Sequence, residues 1–223
     1  MKHIVLYALI LMLVGVVCSV GVALVYVAAR EPIEANKKAT IDASMADIFG
    51  PEASVEEIAG AKKDADKVWK ATGAGGETVG YAAIGAAQGY SSELKVLTGV
   101  TPDLATAIGI RVLEQQETPG LGAQVAEKPA TQTFFEAVGG VFGLGEKPDP
   151  AEAPVFSAYE QQYVGKDLGQ CEVVTQGSPD AGEKIEAITA ATITSKATND
   201  AMKNAVEKIR GHLEKSGTGG TDN

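Results

Sequence analysis

Hydroxyl side chains gather near the C-terminal end of the chain, in the stretch IEAITAATITSKAT at residues 185–198. Apolar residues at helical spacing follow, from about Thr194 to Leu213, so we expect the hydroxyls at the start of a helix. A helix N-terminus carries unpaired N–H groups and the positive end of the helix dipole, which favour a phosphate group. Two uses are open: Thr194 or Ser195 caps the helix, or a hydroxyl of the stretch holds a phosphate ligand.

A second candidate segment is ETPGLG at residues 117–122. On spacing alone it predicts a Pro-Gly turn with a glutamate in front. Upstream of it, Gly80, Gly85 and Gly89 recur in a β-prone run. They predict β-bulges or a close approach of the backbone to a ligand.

Three β-prone runs broken by glycine surround these residues: TVGYAAIGAA, SELKVLTGV and ATAIGIRVLEQQ. They predict an antiparallel meander, and CEVVTQG at 171–177 predicts a further strand. Residues 33–49 and 54–72 are rich in Ala, Glu and Lys and predict two surface helices. A short helix is expected at 131–140 and a Pro-rich loop at 146–154. The order of helices, strands and a terminal helix predicts the α+β class.

An uncharged apolar run precedes all of these elements. It covers 26 residues from Ile4 to Ala29, and at about 1.5 Å per residue a helix of that length exceeds the ~30 Å hydrocarbon core. We therefore expect a single transmembrane helix. A cleaved signal peptide is the alternative, because VAA at Val27–Ala29 resembles a cleavage site, although its apolar region is usually only about 7–15 residues long. Charge counting does not decide the orientation, and we expect the domain outside the cytoplasm.

The charge is strongly acidic, with a formal net value of −10 over 223 residues. Beyond Arg30 the chain carries 17 basic and 29 acidic residues, so nucleic acid is not expected as a partner. An anionic ligand is then expected to be held by backbone donors or by a covalent bond. The two cysteines and two histidines show no metal-site spacing, and no histidine lies near Ser195 or Cys171 in the sequence, so neither a metal site nor a hydrolase is expected.

The stretch EAITAATITSKATNDAM resembles the covalent-flavin motif of the FMN-binding domain family, in which an acidic residue precedes a Ser/Thr-Gly-Ala-Thr core. The matching residues are Glu186, Thr189, Ala190, Ala191 and Thr192. Glu186 stands where aspartate is usual and Ala190 where glycine is usual, and alanine tolerates a positive φ poorly. The resemblance implies that a flavin transferase joins FMN through its phosphate to Thr192. Thr189 and Thr194 are the alternative acceptors.

The segment GYSSELKVLTGVTPDLATAIGIRVLEQQETPGLG, residues 89–122, is similar to the G subunit of the Rnf electron-transport complex. The resemblance implies that the isoalloxazine ring is lined by Tyr90, Glu117, Thr118 and Leu121. The C subunit of the sodium-pumping NADH:quinone oxidoreductase shares both motifs and is less similar through GYSSELKVLTGV. The implied domains are a transmembrane anchor (1–30), a helical connector (31–75), an FMN-binding domain (76–215) and a disordered tail (216–223).

The implied function is a covalent flavoprotein subunit that passes electrons through FMN in a complex coupling ferredoxin and NAD to ion movement. Other membrane subunits and a flavin transferase are the expected partners, and no catalytic residue is expected in this chain. The implied location is the bacterial cytoplasmic membrane, with one span and the domain outside. Three alternatives stay open: the C subunit of the quinone-reducing complex, a tethered FMN sensor, and an anchored domain in which the hydroxyls only cap a helix.

Overall fold

The structure is a computed structural model that describes residues 2–59, 66–127, 156–180 and 182–218. The chain divides into two units, one ending at Ala43 and one beginning at Ser44. The first unit is the greater part of one long helix. The second holds the sheet, the last helix and every residue expected to bind flavin.

The first helix, α1, runs from Lys2 to Phe49. It is long and apolar enough to cross a membrane, judged by length and composition. Its large apolar side chains are exposed, for example Leu11 at 75% and Val22 at 72%, a surface that is costly in water and favourable in hydrocarbon. The helix predicted for residues 33–49 is confirmed as a continuation of the same helix, which contains Pro32.

A six-stranded antiparallel sheet is the centre of the second unit, in the order β1-β2-β3-β4-β5-β6 among the described residues. The strands are β1 (Ser54–Ala59), β2 (Val68–Thr72), β3 (Thr78–Gln88), β4 (Glu93–Val100), β5 (Thr106–Glu114) and β6 (Lys166–Asp167). The three strands β3 to β5 confirm the predicted meander. β3 and β4 pair without a register shift as far as Gln88↔Glu93, which places a tight turn at residues 89–92.

The helix predicted for Ser54–Thr72 is wrong, because the described parts of this stretch include the strands β1 and β2, which pair with each other in antiparallel fashion. Its Ala, Glu and Lys content favours a helix, but such propensities are weak. Pairing with β3 overrides them, since it buries Val68 and Ala71 at 2% and 0% exposure. The sheet therefore begins upstream of residue 76, the predicted start of the domain.

The last helix, α2, runs from Thr192 to Thr218 and packs on one face of the sheet. Its buried apolar residues are Ala197, Ala201, Met202, Ala205, Val206 and Ile209. A Cβ at Gly85 would collide with the backbone of Ala201 and Ala205. Gly85 therefore permits a close approach of the sheet to α2, whereas the sequence predicts an approach of the backbone to a ligand. Two α2 side chains also donate to β3 carbonyls, Asn204 to Ala86 (2.9 Å) and Lys208 to Ile84 (2.8 Å).

The other face of the sheet receives the C-terminal end of α1. At Gly99 a Cβ would stand 2.5 Å from the side chain of Ile48, so glycine permits this packing. The Arg111 guanidinium of β5 bonds to Asp47 of α1 (3.1 Å) and to Glu160 (3.0 Å). Because Glu160 is 1% exposed, removing Arg111 would leave a buried charge unpaired.

Short elements complete the second unit. β7 (Val173–Val174) pairs in parallel with β8 (Ile185–Glu186), which confirms the strand predicted in CEVVTQG at a length of two residues. In the described part of the chain, 3-10 turns cover Gly122–Val125, Glu160–Tyr163 and Leu168–Gln170.

Several predicted features fall beyond the described ranges. The short helix expected at 131–140 and the Pro-rich loop expected at 146–154 lie outside the described residues. The predicted disordered tail is corrected at its start, because α2 continues through residues 216–218. The helix formers Glu214 and Lys215 carry it beyond Leu213. Residues 219–223 lie outside the described part of the chain.

Candidate functional site

Thr192 is the first residue of α2. The carbonyl of Ala191 accepts from the backbone N–H of Ser195 (2.9 Å), which is the first bond of the helix. Thr192 is partly exposed, and its hydroxyl makes no hydrogen bond within the described part of the chain. It is an accessible oxygen at the positive end of a helix dipole.

The other four hydroxyls of the Thr-rich stretch are engaged. They donate as follows: Thr189 to the Gln176 side chain, Thr194 to the Glu117 carboxylate, and Ser195 and Thr198 to the carbonyls of Ala191 and Thr194. The last three bonds measure 2.8, 3.0 and 2.9 Å. Of the predicted acceptors, Thr192 is therefore the one whose hydroxyl is free among the described residues.

The turn before α2 has a strained backbone at Ala190, where φ is +60°. An L-residue in this left-handed region costs roughly 1–2 kcal/mol, whereas glycine adopts it freely. The position at which the motif normally has glycine thus does require a positive φ. Ser195 holds the turn, because its Oγ accepts from the Ile188 N–H (3.0 Å) and donates to the Ala191 carbonyl (3.0 Å).

Glu117 connects three separate segments at this end of the sheet. Its Oε1 accepts from the backbone N–H groups of Ser91 and Ser92, both at 3.0 Å, and from the Ser92 hydroxyl at 3.3 Å. Its Oε2 accepts from the Thr194 hydroxyl at 2.8 Å. The turn between β3 and β4, the ETPGLG segment and the first turn of α2 are therefore joined by one carboxylate, which is 6% exposed. We call Ser91, Ser92, Glu117 and Thr194 the carboxylate cluster.

The protonation state of Glu117 follows from these contacts. Burial raises the pKa of the carboxyl, but hydrogen bonds from Thr194, Ser91 and Ser92 outweigh that effect and leave the pKa below its ordinary value of 4.5. Glu117 is thus ionised at neutral pH. Both oxygens bond inside the protein, so its role here is to position the surrounding segments.

Two glycines leave room for the carboxylate cluster. A Cβ at Gly122 would stand 2.7 Å from the Thr194 Oγ1 and 2.9 Å from a Glu117 oxygen. A Cβ at Gly89 would stand 2.6 Å from the other Glu117 oxygen. The glycine that ends ETPGLG is therefore needed for packing, in addition to the turn.

Three apolar side chains beside the cluster are exposed: Tyr90 at 71%, Leu121 at 42% and Ile193 at 56%. Each is the neighbour in sequence of a residue in or against the cluster, which brings all three to the end of the sheet where α2 begins. Thr118 is also exposed, and its carbonyl accepts from the N–H groups of Leu121 and Ala123 (both 3.2 Å). Exposed apolar groups at one site suit a flat, partly apolar ring.

Two buried tyrosines, Tyr159 and Tyr163, lie beneath the start of α2 in the protein interior. Tyr159 Oη donates to the Ser195 carbonyl (2.8 Å) and lies 3.2 Å from Tyr163 Oη. Burial raises the pKa of Tyr159 to about 12, so it stays a protonated donor. Burial also raises the pKa of the Cys171 thiol to about 11, which suits a packing role and not a nucleophile.

Sequence reasoning missed several members of the site. Ser91 and Ser92 carry no motif of their own, although two hydroxyl residues after GY are a visible signal. Ile193 gives no signal, because an apolar residue at the start of a helix usually joins the core. Of the nine residues predicted to bind flavin, the structure brings Tyr90, Glu117, Thr118 and Leu121 to the same end of the sheet as the four residues at 189–192 and Thr194.

Known proteins with related sequences are named as subunits of ion-translocating oxidoreductase complexes. The G subunit of the Na(+)-translocating ferredoxin:NAD(+) oxidoreductase complex of Acetobacterium woodii is 30% identical over 134 residues, or 59% of this chain and 50% of that protein. The G subunit of the proton-translocating ferredoxin:NAD(+) oxidoreductase complex of Clostridium ljungdahlii is 26% identical over 178 residues, or 80% of this chain and 77% of that protein. The match therefore spans only half the length of the first relative. Among solved structures, Shewanella oneidensis NqrC aligns with 74% of this chain and 70% of its own at 21% identity and a TM-score of 0.46.

The family profile described as FMN-binding domain matches residues 89–207, more than half of the chain. The matched range begins at the turn between β3 and β4 and ends within α2. It contains the complete carboxylate cluster and Thr192. The chain belongs to the FMN-binding domain family.

Proposed function

We propose that this chain is a membrane-anchored covalent flavoprotein subunit that relays electrons through FMN within an ion-translocating ferredoxin:NAD oxidoreductase complex of the Rnf type. The observation that carries the attachment site is the free hydroxyl of Thr192. It is partly exposed at the start of α2, while the other hydroxyls of the motif are engaged. Similarity to the two G subunits supports the complex.

The residues present fit a phosphate-linked flavin. Thr192 offers its Oγ1 to phosphorus at a helix N-terminus, where the dipole favours the phosphate. The donor must carry a leaving group on the FMN phosphorus, as flavin adenine dinucleotide does. The Oγ1–P bond then forms, the P–O bond to the adenylate breaks, AMP leaves, and the hydroxyl proton passes to solvent. A transferase is needed, because no residue of this chain is expected to catalyse that step.

The flavin, once attached, supplies one- and two-electron transfer. This chain's residues position it: Tyr90, Leu121 and Ile193 offer exposed apolar surface, and Glu117 holds the segments that carry them. The tether keeps the cofactor without an enclosed pocket, so the ring can remain accessible to partner subunits. Such exposure suits a relay between proteins.

The membrane part of the proposal rests on α1. We place this helix as a single span in the bacterial cytoplasmic membrane, with the flavin domain on the outer side. The two relatives are named for different ions, sodium and protons, so the proposal covers ion translocation without a choice between them. The role of the C subunit in a quinone-reducing complex and that of a tethered FMN sensor are the alternatives.

The attachment test is flavin fluorescence on the protein band after complete denaturation, with the full chain co-expressed with a flavin transferase. Wild type is expected to fluoresce, T192A to lose all covalent flavin, and T192S to keep part of it. T189A is the matched control, because Thr189 is an exposed hydroxyl three residues away, and it should be loaded like wild type.

Two results would contradict the attachment of flavin to Thr192, and they can be told apart. If the wild-type chain carries no flavin fluorescence, although the same transferase attaches flavin to a proven substrate, the proposal of a covalent flavoprotein is refuted. Fluorescence that persists in T192A and disappears in T189A would move the attachment to Thr189.

A further inference from the structure

A polar stripe runs along α2 from Thr192. An α-helix turns about 100° per residue, so Lys196 lies about 40° and Lys203 about 20° around the helix from Thr192. Both lysines are exposed. Asp200 and Glu207 lie about 80° and 60° around the helix from Thr192, so Lys196 is the charged residue of this face that is nearest to Thr192 along the helix.

An open depression lies along this stripe. It is lined by Glu172, Val173, Lys196, Asn199, Asp200 and Lys203. Its two carboxylates are not equivalent, because Glu172 is paired with Lys184 at 2.8 Å, whereas Asp200 is exposed on α2. In the described part of the chain Lys196 forms neither a hydrogen bond nor an ion pair, so its charge is available.

The buried side chain of Asn199 also lines the depression and is 4% exposed. Its Nδ2 donates to the Cys171 carbonyl at 3.0 Å. Its Oδ1 has no hydrogen-bond partner among the described residues. A buried acceptor without a donor is costly, and because this oxygen is enclosed by the protein, it offers no contact to an occupant of the depression.

The geometry of a helix aims Lys196 at Thr192. Side chains four residues apart are neighbours, with Cβ atoms about 5–6 Å apart. Helical side chains also lean toward the N-terminus, so a lysine covers the turn before its own Cα. By this geometry the side chain of Lys196 is long enough to extend to the space next to the Thr192 Oγ1.

We propose that Lys196 is a positioning residue that pairs with the phosphoester on Thr192. This inference rests on the proposed attachment at Thr192. It revises the expectation that only backbone donors or the covalent bond hold the phosphate. Lys203, farther along the stripe, adds charge at longer range.

The decisive measurement is the ³¹P NMR signal of the phosphodiester in full-length protein that has been loaded with flavin and purified in detergent. K196M should shift this resonance, and K196R should shift it less, because arginine keeps the charge. The matched control is K215M, which removes the same charge from an exposed position of the same helix at about 34 Å from Thr192. That distance is several Debye lengths at physiological salt, so the control should match wild type.

A second readout is the initial rate of flavin attachment at limiting transferase. Charge reversal at about 6 Å in water predicts a roughly tenfold slower rate for K196E at low salt. The effect should shrink as salt rises, and K215E should load like wild type.

The outcomes separate the two proposals. A wild-type ³¹P resonance in loaded K196M would overturn the role of Lys196 and leave the attachment at Thr192 intact. Absence of covalent flavin in wild type would overturn both. A melting temperature equal to that of wild type is the check that K196M is folded, which is expected for an exposed lysine.

Discussion

Ala190 is the residue at which this chain departs most clearly from the motif of its family. Its φ of +60° shows that the turn keeps a shape made for glycine. The strain is compensated by the Ser195 hydroxyl, which bonds to both ends of the turn. The turn before α2 is therefore held in a strained conformation by the side chain of Ser195.

We expect A190G to stabilise the protein by about 0.5–1 kcal/mol. Relief of the left-handed strain outweighs the entropy that glycine adds to the unfolded chain. For a chain of this size the melting temperature should rise by roughly 1–4 °C. Thermal unfolding followed by circular dichroism measures the change.

The matched control for A190G is A187G, at a buried residue of the same stretch without a positive φ. A187G should lower the melting temperature. If both substitutions lower it, the strain at Ala190 does not exist in solution.

Glu117 is a second single residue with a large expected effect on stability, because its side chain joins segments that lie far apart in the sequence. We expect E117Q to lower the free energy of unfolding by about 1–3 kcal/mol at pH 7, since hydrogen bonds to a charged acceptor are among the stronger ones. Urea unfolding at pH 7 measures the loss. E93Q, at an exposed glutamate at the start of β4, should leave the free energy nearly unchanged.

The stabilisation by Glu117 depends on pH in a defined direction. Its folded pKa lies below the ordinary value of 4.5, so the contribution is complete above that value and is lost as the pH falls through the folded pKa. Wild type should therefore lose more stability than E117Q between about pH 5 and pH 3. Parallel acid-induced losses in the two proteins would contradict this role of the carboxylate.

At the scale of elements, local sequence predicts the parts whose neighbours are close in the chain. β3, β4 and β5 follow one another with short turns, so the alternation of apolar residues and the spacing of glycines are sufficient to predict these three strands. The β1–β2 pair resembles a helix in composition, and only its pairing with β3 decides otherwise. The prediction that Thr192 is the flavin acceptor comes from the family motif.

The carboxylate cluster could not be predicted, because the Thr194–Glu117 bond spans 77 residues. The motif resemblance assigned Glu117 to the flavin ring. That assignment stays a prediction, whereas the hydrogen bonds of its carboxylate go to protein groups that become neighbours only after the sheet has formed and α2 has packed on it. No periodicity in the sequence reports a bond of that kind.

At the scale of the whole molecule, the proposed role predicts that the chain associates with other subunits in the membrane. We expect the tagged full-length chain, extracted in mild detergent from a host that carries the related complex, to copurify with other membrane subunits in constant proportion. A flavin relay without partners has no donor or acceptor, so association follows from function. Mass spectrometry of the purified sample identifies the subunits.

The control is the same tagged chain in a host without that complex, where it should be recovered alone. Recovery alone from both hosts, with flavin attached, would favour the tethered sensor over the relay role.

The order of the elements along the chain has a consequence for biosynthesis. A ribosome makes α2 after all the strands of the sheet, so until then the sheet lacks the helix that buries its face, and Glu117 lacks Thr194. Under the proposed attachment, Thr192 reaches its folded surroundings only after α2 has been synthesised. Flavin attachment would then distinguish chains synthesised through α2 from shorter ones, since a chain that stops before residue 192 lacks the acceptor hydroxyl.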